Sequence, residues 1–277
     1  MPELPEIQAL AERLGARLSG APLASIVPMQ FSALKTYEPR PESLVGLTLE
    51  GVGRRGKFLV FDHGARRLLL HLSQGGRVDL ESPPKRTRPK GAVLRTLYSG
   101  RPSLLVKEFG TQRKASWWVV EADDPGPLSV LGPEPFSAAF EQLVLHGDDR
   151  RRLHSMIRDQ RTVAGIGRGF ADDILHGARL SPFTSLNALG AIERRRLLDT
   201  TRSTLSLALE RERLRTGGLP PKLGDRFSVH GRAGLPCPRC GSDLRRVSYE
   251  DYEIAYCPVC QTVGKVLADR RMSRLVK

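Results

Sequence analysis

Four cysteines stand in two pairs, Cys237-Pro238-Arg239-Cys240 and Cys257-Pro258-Val259-Cys260, with 16 residues between the pairs. Each short knuckle aims two sulfurs at one point, and two knuckles at this distance match a four-thiolate zinc site. Such a site is closed, so one structural Zn2+ is expected, folding a module with little core of its own. The strand-like residues Val247–Tyr256 between the pairs are then expected to fold back as a hairpin. A redox CxxC would stand alone beside a βαβ pattern, which this chain lacks. Arg232, Arg239, Arg245 and Arg246 flank the cysteines and suit a nucleic-acid contact. Zinc ribbons also bind proteins, so the finger alone leaves both uses open.

Charge narrows the partner. The 277 residues carry 44 basic and 30 acidic side chains, a net +14. Residues 1–130 hold +6, residues 131–210 only +1, and residues 211–277 the remaining +7. Excess concentrated at one end favours a polyanion, most often nucleic acid; a basic surface kept for solubility is the plainer reading. Hydrophobic residues at 40% suffice for one or two cored domains and exclude a disordered or collagen-like chain. No run of about 18 apolar residues is present, so no membrane partner is expected. The acidic start Met1-Pro2-Glu3-Leu4-Pro5-Glu6 lacks the apolar core of a signal peptide. A soluble cytoplasmic monomer is the expectation.

Periodicity divides the chain. Ile7, Leu10, Ala11, Leu14 and Leu18 recur at helical spacing and predict an amphipathic helix over 3–18. Strand-like runs follow at Leu47–Val52, Lys57–Phe61, Leu68–Leu72, Val93–Tyr98, Leu104–Val106 and Trp117–Val120. Asp62-His63-Gly64 and Ser99-Gly100-Arg101-Pro102 read as hairpin turns. Pro83–Pro89 is a basic, proline-rich loop between strands. After Asp123-Asp124-Pro125-Gly126-Pro127 the period becomes helical, near 137–146, 149–157, 170–178 and 188–214. The predicted class is α+β. A β-sandwich with one helix spans 1–124, a linker 125–135, a helical domain 136–231, and the cysteine finger with a basic tail 232–277.

The N-terminus is chemically suggestive. If Met1 is removed, Pro2 carries a free secondary amine whose pKa near 8 leaves a useful unprotonated fraction at neutral pH. Such an amine can attack a sugar C1′ and form an iminium, with Glu3 and Glu6 close enough to move protons. The same acidic residues also complement a helix dipole in proteins with no such chemistry.

Taken together, these parts resemble the formamidopyrimidine-DNA glycosylase/endonuclease VIII family, in the family's order and over nearly the whole chain. The most specific pieces are Pro2-Glu3-Leu4-Pro5-Glu6 and the stretch Asp159-Gln160 … Val163-Ala164-Gly165-Ile166-Gly167 … Ala171-Asp172-Asp173-Ile174-Leu175 … Pro182. The latter looks like that family's helix–two-turn–helix. The resemblance implies a bifunctional DNA glycosylase and AP lyase of base excision repair, acting on duplex DNA with a damaged base or abasic site. It makes Pro2 the nucleophile, Glu3 the general acid/base and Glu6 its support. Lys57, after Gly56, would bind a phosphate beside the extruded nucleotide. Further DNA contacts are implied for Gln74, Arg113, Lys114, Gly167, Arg168 and Arg232, and zinc ligation for Cys237, Cys240, Cys257 and Cys260.

Several positions depart from the family pattern. Arg168 stands where the phosphate-binding Asn usually follows Gly-Ile-Gly. Gln74 replaces a wedge Met, and Lys114 replaces an apolar wedge residue after Arg113, which alters opposite-base preference. The segment from Gly217 to Arg232 is short for a loop covering 8-oxoguanine. The finger has Glu250-Asp251-Tyr252-Glu253 where a phosphate-binding Arg is usual. A basic tail, Lys265, Arg270, Arg271, Arg274 and Lys277, continues past the finger. These departures keep a second possibility open, a non-catalytic binder of damaged or abasic DNA on the same scaffold.

Overall fold

The N-terminal helix α1 (Leu4–Leu18) begins where its sequence can satisfy its own first turn. Glu3 is its N-cap, in extended conformation, and Pro5 sits in the opening turn. The Glu6 carboxylate accepts the Glu3 backbone N–H at 2.7 Å, and the Glu3 carboxylate accepts the Glu6 N–H, a reciprocal capping box. Leu10, Leu14 and Leu18 are fully buried along one face, as the periodicity predicts.

The computed structural model describes residues 1–109, 112–220, 226–249 and 252–267. One compact unit comprises Met1–Val130 with Leu209–Gly224, and a second comprises Leu131–Ala208 with Asp225–Lys277. In the first, the strands are β1 (Leu23–Pro28), β2 (Gly51–Arg55), β3 (Phe58–Asp62), β4 (Arg66–His71), β5 (Gly76–Glu81), β6 (Ala92–Tyr98), β7 (Ser103–Glu108) and β8 (Ser116–Glu121). They form two antiparallel four-stranded sheets, ordered β1-β6-β7-β5 and β2-β3-β4-β8. One apolar core holds α1 and both sheets together, with Phe61, Leu70, Leu94, Leu104 and Trp117 fully buried. This is the predicted sandwich with a helix.

Two strands escape the sequence pattern. β1 contains little alternation and ends in Pro28, and β5 starts on Gly76, the second of a glycine pair. Both belong to the same sheet, where pairing to β6 and β7 supplies what local propensity does not. Leu47–Val52 reads as strand, but β2 begins only at Gly51, because residues 46–49 instead bond back to Ala21 and Leu23. Residues 209–220 also belong to this unit. The Leu219 N–H donates to the Val78 carbonyl at 2.7 Å. A Cβ on Gly218 would sit 1.8 Å from that oxygen, so glycine is required there.

The second unit contains α2 (Ala138–His146), α3 (Leu153–Arg158), α4 (Arg168–Gly177) and most of α5 (Ala191–Arg213), then β9 (Arg245–Ser248), β10 (Glu253–Tyr256) and α6 (Pro258–Thr262). The Ser137 hydroxyl caps α2 by accepting the Phe140 N–H at 3.2 Å. Phe140, Met156, Ile166, Ile174 and Leu197 are fully buried. The β9–β10 hairpin pairs antiparallel, as expected for the strand-like residues between the cysteine pairs. Around it the buried cluster is small, consisting of Val229, Cys237, Leu244 and Cys257 with Cys260 against them. Residues 221–225, Glu250, Asp251 and the tail residues Arg270, Arg271, Arg274 and Lys277 lie outside the described residues.

Candidate active site and metal centre

In the first unit, Pro2, Glu3 and Glu6 are buried at the head of α1, with Glu3 4% and Glu6 1% exposed. The capping box fixes Glu3 immediately after Pro2 and ties its backbone to the Glu6 carboxylate. Met1 is 42% exposed, so the residue that blocks the Pro2 nitrogen as an amide is open to removal.

Lys57 lies in the two-residue turn between β2 and β3, where Arg55 pairs with Phe58. Gly56 before it has φ +57°, which the first position of such a turn demands. Arg54 bonds both the Gly56 carbonyl (2.9 Å) and the Gln8 side chain (3.1 Å), fastening this turn to α1. Lys57 is only 4% exposed. Burial, and then the Lys57 charge, push the neighbouring His71 imidazole down to about 4. His71 is therefore neutral near pH 7. Its ring lies 4.8 Å from that of Phe58.

Gln74 crowns a tight turn after β4. Ser73 has φ +52°, and a Cβ on Gly75 would meet the Phe109 carbonyl oxygen at 2.0 Å. Gln74 itself is exposed, as are Arg113 and Lys114. One buried carboxylate supports the second loop: Glu108 Oε1 accepts the Lys114 and Ala115 N–H groups at 2.7 and 2.9 Å. The next residue, Phe109, donates its N–H to the Gly75 carbonyl at 2.9 Å. The Gln74 turn and the Lys114 loop thus share one support at the end of β7. Sequence reading gives no role to Glu108; a lone acid at a strand end carries no distinguishing signal.

In the second unit, Gly165 (φ +94°) and Gly167, the N-cap of α4, shape the turn that leads to Arg168. Gln160 braces it from inside. Its Nε2 donates to the carbonyls of Arg158 and Ile166 at 2.8 and 2.6 Å, and its Oε1 accepts the Gly165 N–H at 2.9 Å. Arg168 is half-buried on the first turn of α4. A Cβ on Gly169 would lie 2.1 Å from the Phe227 ring, so the following segment seals against α4. Asp173 holds that segment through the N–H groups of Ser228, Val229 and His230 at 2.6, 3.0 and 3.3 Å. Burial pushes the Asp173 carboxyl up, and those three donors oppose the shift. Asp172 binds His230 Nδ1 at 2.6 Å. Arg232 follows this anchored stretch, half-buried.

The four cysteine sulfurs lie within 4.8 Å of one another and could hold a metal ion. Cys237–Cys260 and Cys240–Cys257 are 4.0 and 3.5 Å apart. Zn–S bonds of about 2.3 Å in a tetrahedron give sulfur–sulfur edges of roughly 3.8 Å, so the donor set fits that ion. His176 Nε2 approaches Cys237 Sγ at 3.2 Å. Burial, and then the Arg239 charge, push this imidazole down to about 4, leaving a neutral ring whose N–H can donate to a thiolate. The arginines read as DNA-facing are partly engaged. Arg239 binds the carbonyls of His176 and Gly177 at 2.9 and 3.2 Å, and Arg246 pairs with Glu253 at 3.0 Å. His176 is absent from the sequence reading because it lies 61 residues from its cysteine.

Residues 1–106 match the family model described as formamidopyrimidine-DNA glycosylase N-terminal domain, and residues 131–217 match the formamidopyrimidine-DNA glycosylase H2TH domain. A formamidopyrimidine-DNA glycosylase of Thermus thermophilus is 34% identical over 279 residues, spanning 95% of this chain and 100% of the relative. A formamidopyrimidine-DNA glycosylase-like protein of Mycobacterium tuberculosis, itself uncharacterized, is 42% identical over 160 residues, covering 56% of this chain and 99% of that one. The structure of Lactococcus lactis Fpg in complex with abasic-site DNA superposes with a TM-score of 0.82 at 26% identity, covering 94% of this chain and 99% of that one.

Proposed function

Since the chain belongs to the formamidopyrimidine-DNA glycosylase family and is a DNA glycosylase of base excision repair, we propose that Pro2 is its nucleophile and that it both releases the base and cuts the strand. The observation that carries this reading is the head of α1, where Pro2, Glu3 and Glu6 are buried together and locked by the capping box.

The substrate is duplex DNA with a damaged base or an abasic site. A chain-end amine cannot reach C1′ inside a stacked duplex, so the nucleotide is extruded. With Met1 removed, the Pro2 amine attacks C1′ and the base departs. Glu3 protonates the sugar ring oxygen as the ring opens, and an iminium joins Pro2 to C1′. The iminium acidifies the C2′ proton, and β- then δ-elimination expels the flanking phosphates. Glu6 holds the Glu3 backbone, and Lys57 binds a phosphate beside the extruded sugar. Gln74, Arg113 and Lys114 fill the vacated stack and meet the orphaned base with polar groups. The turn at Gly167–Arg168, together with Arg232, grips the backbone. One Zn2+ on Cys237, Cys240, Cys257 and Cys260 supplies structural ligation only, since all four positions are protein thiolates. Among the described residues no helix is long and apolar enough to cross a membrane; a DNA substrate supports the reading of a cytoplasmic, nucleoid-associated enzyme.

Borohydride reduction tests the mechanism. Protein with a verified free Pro2 amine should form a covalent adduct with abasic-site DNA, and blocking that amine should abolish it. Intact binding without any adduct would instead assign a non-catalytic binder of damaged DNA.

A further inference from the structure

Resting on the reading that this chain grips duplex DNA by its phosphates, we propose that Arg158 is a further phosphodiester-binding residue, presented by the Tyr252 ring of the finger hairpin. Arg158 is the last residue of α3. Its guanidinium carbon lies 4.3 Å from the Tyr252 ring centroid. Tyr252 stacks in turn on Tyr249, with centroids 4.6 Å apart and planes within 12°. The Tyr249 hydroxyl accepts from Arg152 Nη1 at 2.7 Å, which fixes the far side of the stack.

An aromatic face satisfies a guanidinium without using its N–H groups. All five donors lie at the edge of the plane and stay available to a phosphate. The neighbouring arginines show the contrast. Arg151 is bound by both Asp149 and Asp159, at 2.5 and 2.8 Å, and Arg239 by helix carbonyls. Among the described residues, no carboxylate pairs with Arg158.

Position completes the argument. One nitrogen, Gln160 Nε2, binds the carbonyls of both Arg158 and Ile166. The end of α3 and the Gly165–Gly167 turn are therefore one braced element. Arg158 therefore stands beside the turn proposed to grip the backbone, within residues 131–210, whose net charge is only +1.

The plainer use of the same contact is a clamp that holds the hairpin in place, and the two differ in salt dependence. Binding to a duplex with a tetrahydrofuran abasic analogue is measured across a salt series for wild type, Arg158→Met and Arg158→Lys, with melting temperature and zinc content alongside. Arg158→Met should reduce the slope of log K against log salt by ~0.9, one phosphate contact, and raise Kd roughly tenfold at low salt, the range for a charge-assisted hydrogen bond. Arg158→Lys should restore the slope. Unchanged slope in Arg158→Met, or weaker binding that tracks a fall in melting temperature and zinc, overturns the proposal in favour of a clamp. Wild-type protein that shows no salt-dependent binding to this duplex overturns the parent reading and this one together.

Discussion

In the proposed mechanism Glu3 and Glu6 do two jobs, capping α1 and moving protons beside Pro2; their burial is stable because the capping hydrogen bonds replace water. Glu3→Gln keeps an acceptor for the helix but removes the proton donor. Base release should fall by about 10²–10⁴, the usual worth of general acid catalysis, while the far-UV spectrum stays unchanged; gel assays of excised oligonucleotide measure this. The Pro2–Glu6 motif was legible because it is contiguous. His71 was not, since its character depends on burial and on Lys57, at the head of the adjacent strand. Its folded pKa of about 4 lies below the ordinary 6.5. As pH falls through that window the unfolded chain takes up the proton first, so stability is lost between about 6.5 and 4 and is fully present above it. Between pH 7 and pH 5 this one group should cost about 2 kcal/mol. Urea unfolding of wild type and His71→Gln at both values should show that difference; equal losses in the two proteins would refute it.

Among the elements, α1, the Asp62–Gly64 and Ser99–Pro102 hairpins and the finger were readable because each is written in a local period or a fixed spacing. β1 and β5 were not, because their pairing partners are distant in sequence. The turn before α4 shows the same division. Its glycines are visible, but the need for Gly169 comes from Phe227, 58 positions away. Gly169→Ala should destabilise the protein by about 1–3 kcal/mol, as overpacking does, and Phe227→Ala in the same chain should recover most of that loss in thermal melts. With so few buried side chains, the finger is expected to depend on the metal proposed for its four cysteines. Prolonged chelation should unfold the β9–β10 hairpin and weaken DNA binding, because ligation and folding are one equilibrium. Hairpin amide resonances that survive chelation unchanged would contradict this.

For the molecule as a whole, the net charge of +14 overstates the grip on DNA. Arg151, Arg239 and Arg246 are held internally by carboxylates or carbonyls. Affinity should still decline linearly in log salt, with a slope set by phosphate contacts rather than by net charge; a slope approaching the full charge would mean that the internally held arginines contact phosphates as well. Composition, the N-terminal motif, the cysteine spacing and the strand-to-helix change of period determined the class and the family resemblance, and through it the expected chemistry and metal, since each is local along the chain. Only the tertiary structure decided which charges are available, that residues 209–220 close onto β5 in the first unit, that Glu108 supports both exposed loops, and that His176 faces the Cys237 sulfur. The reason is physical: hydrogen-bond partners and desolvation are set by whichever groups packing brings together, and a linear sequence records no such neighbours.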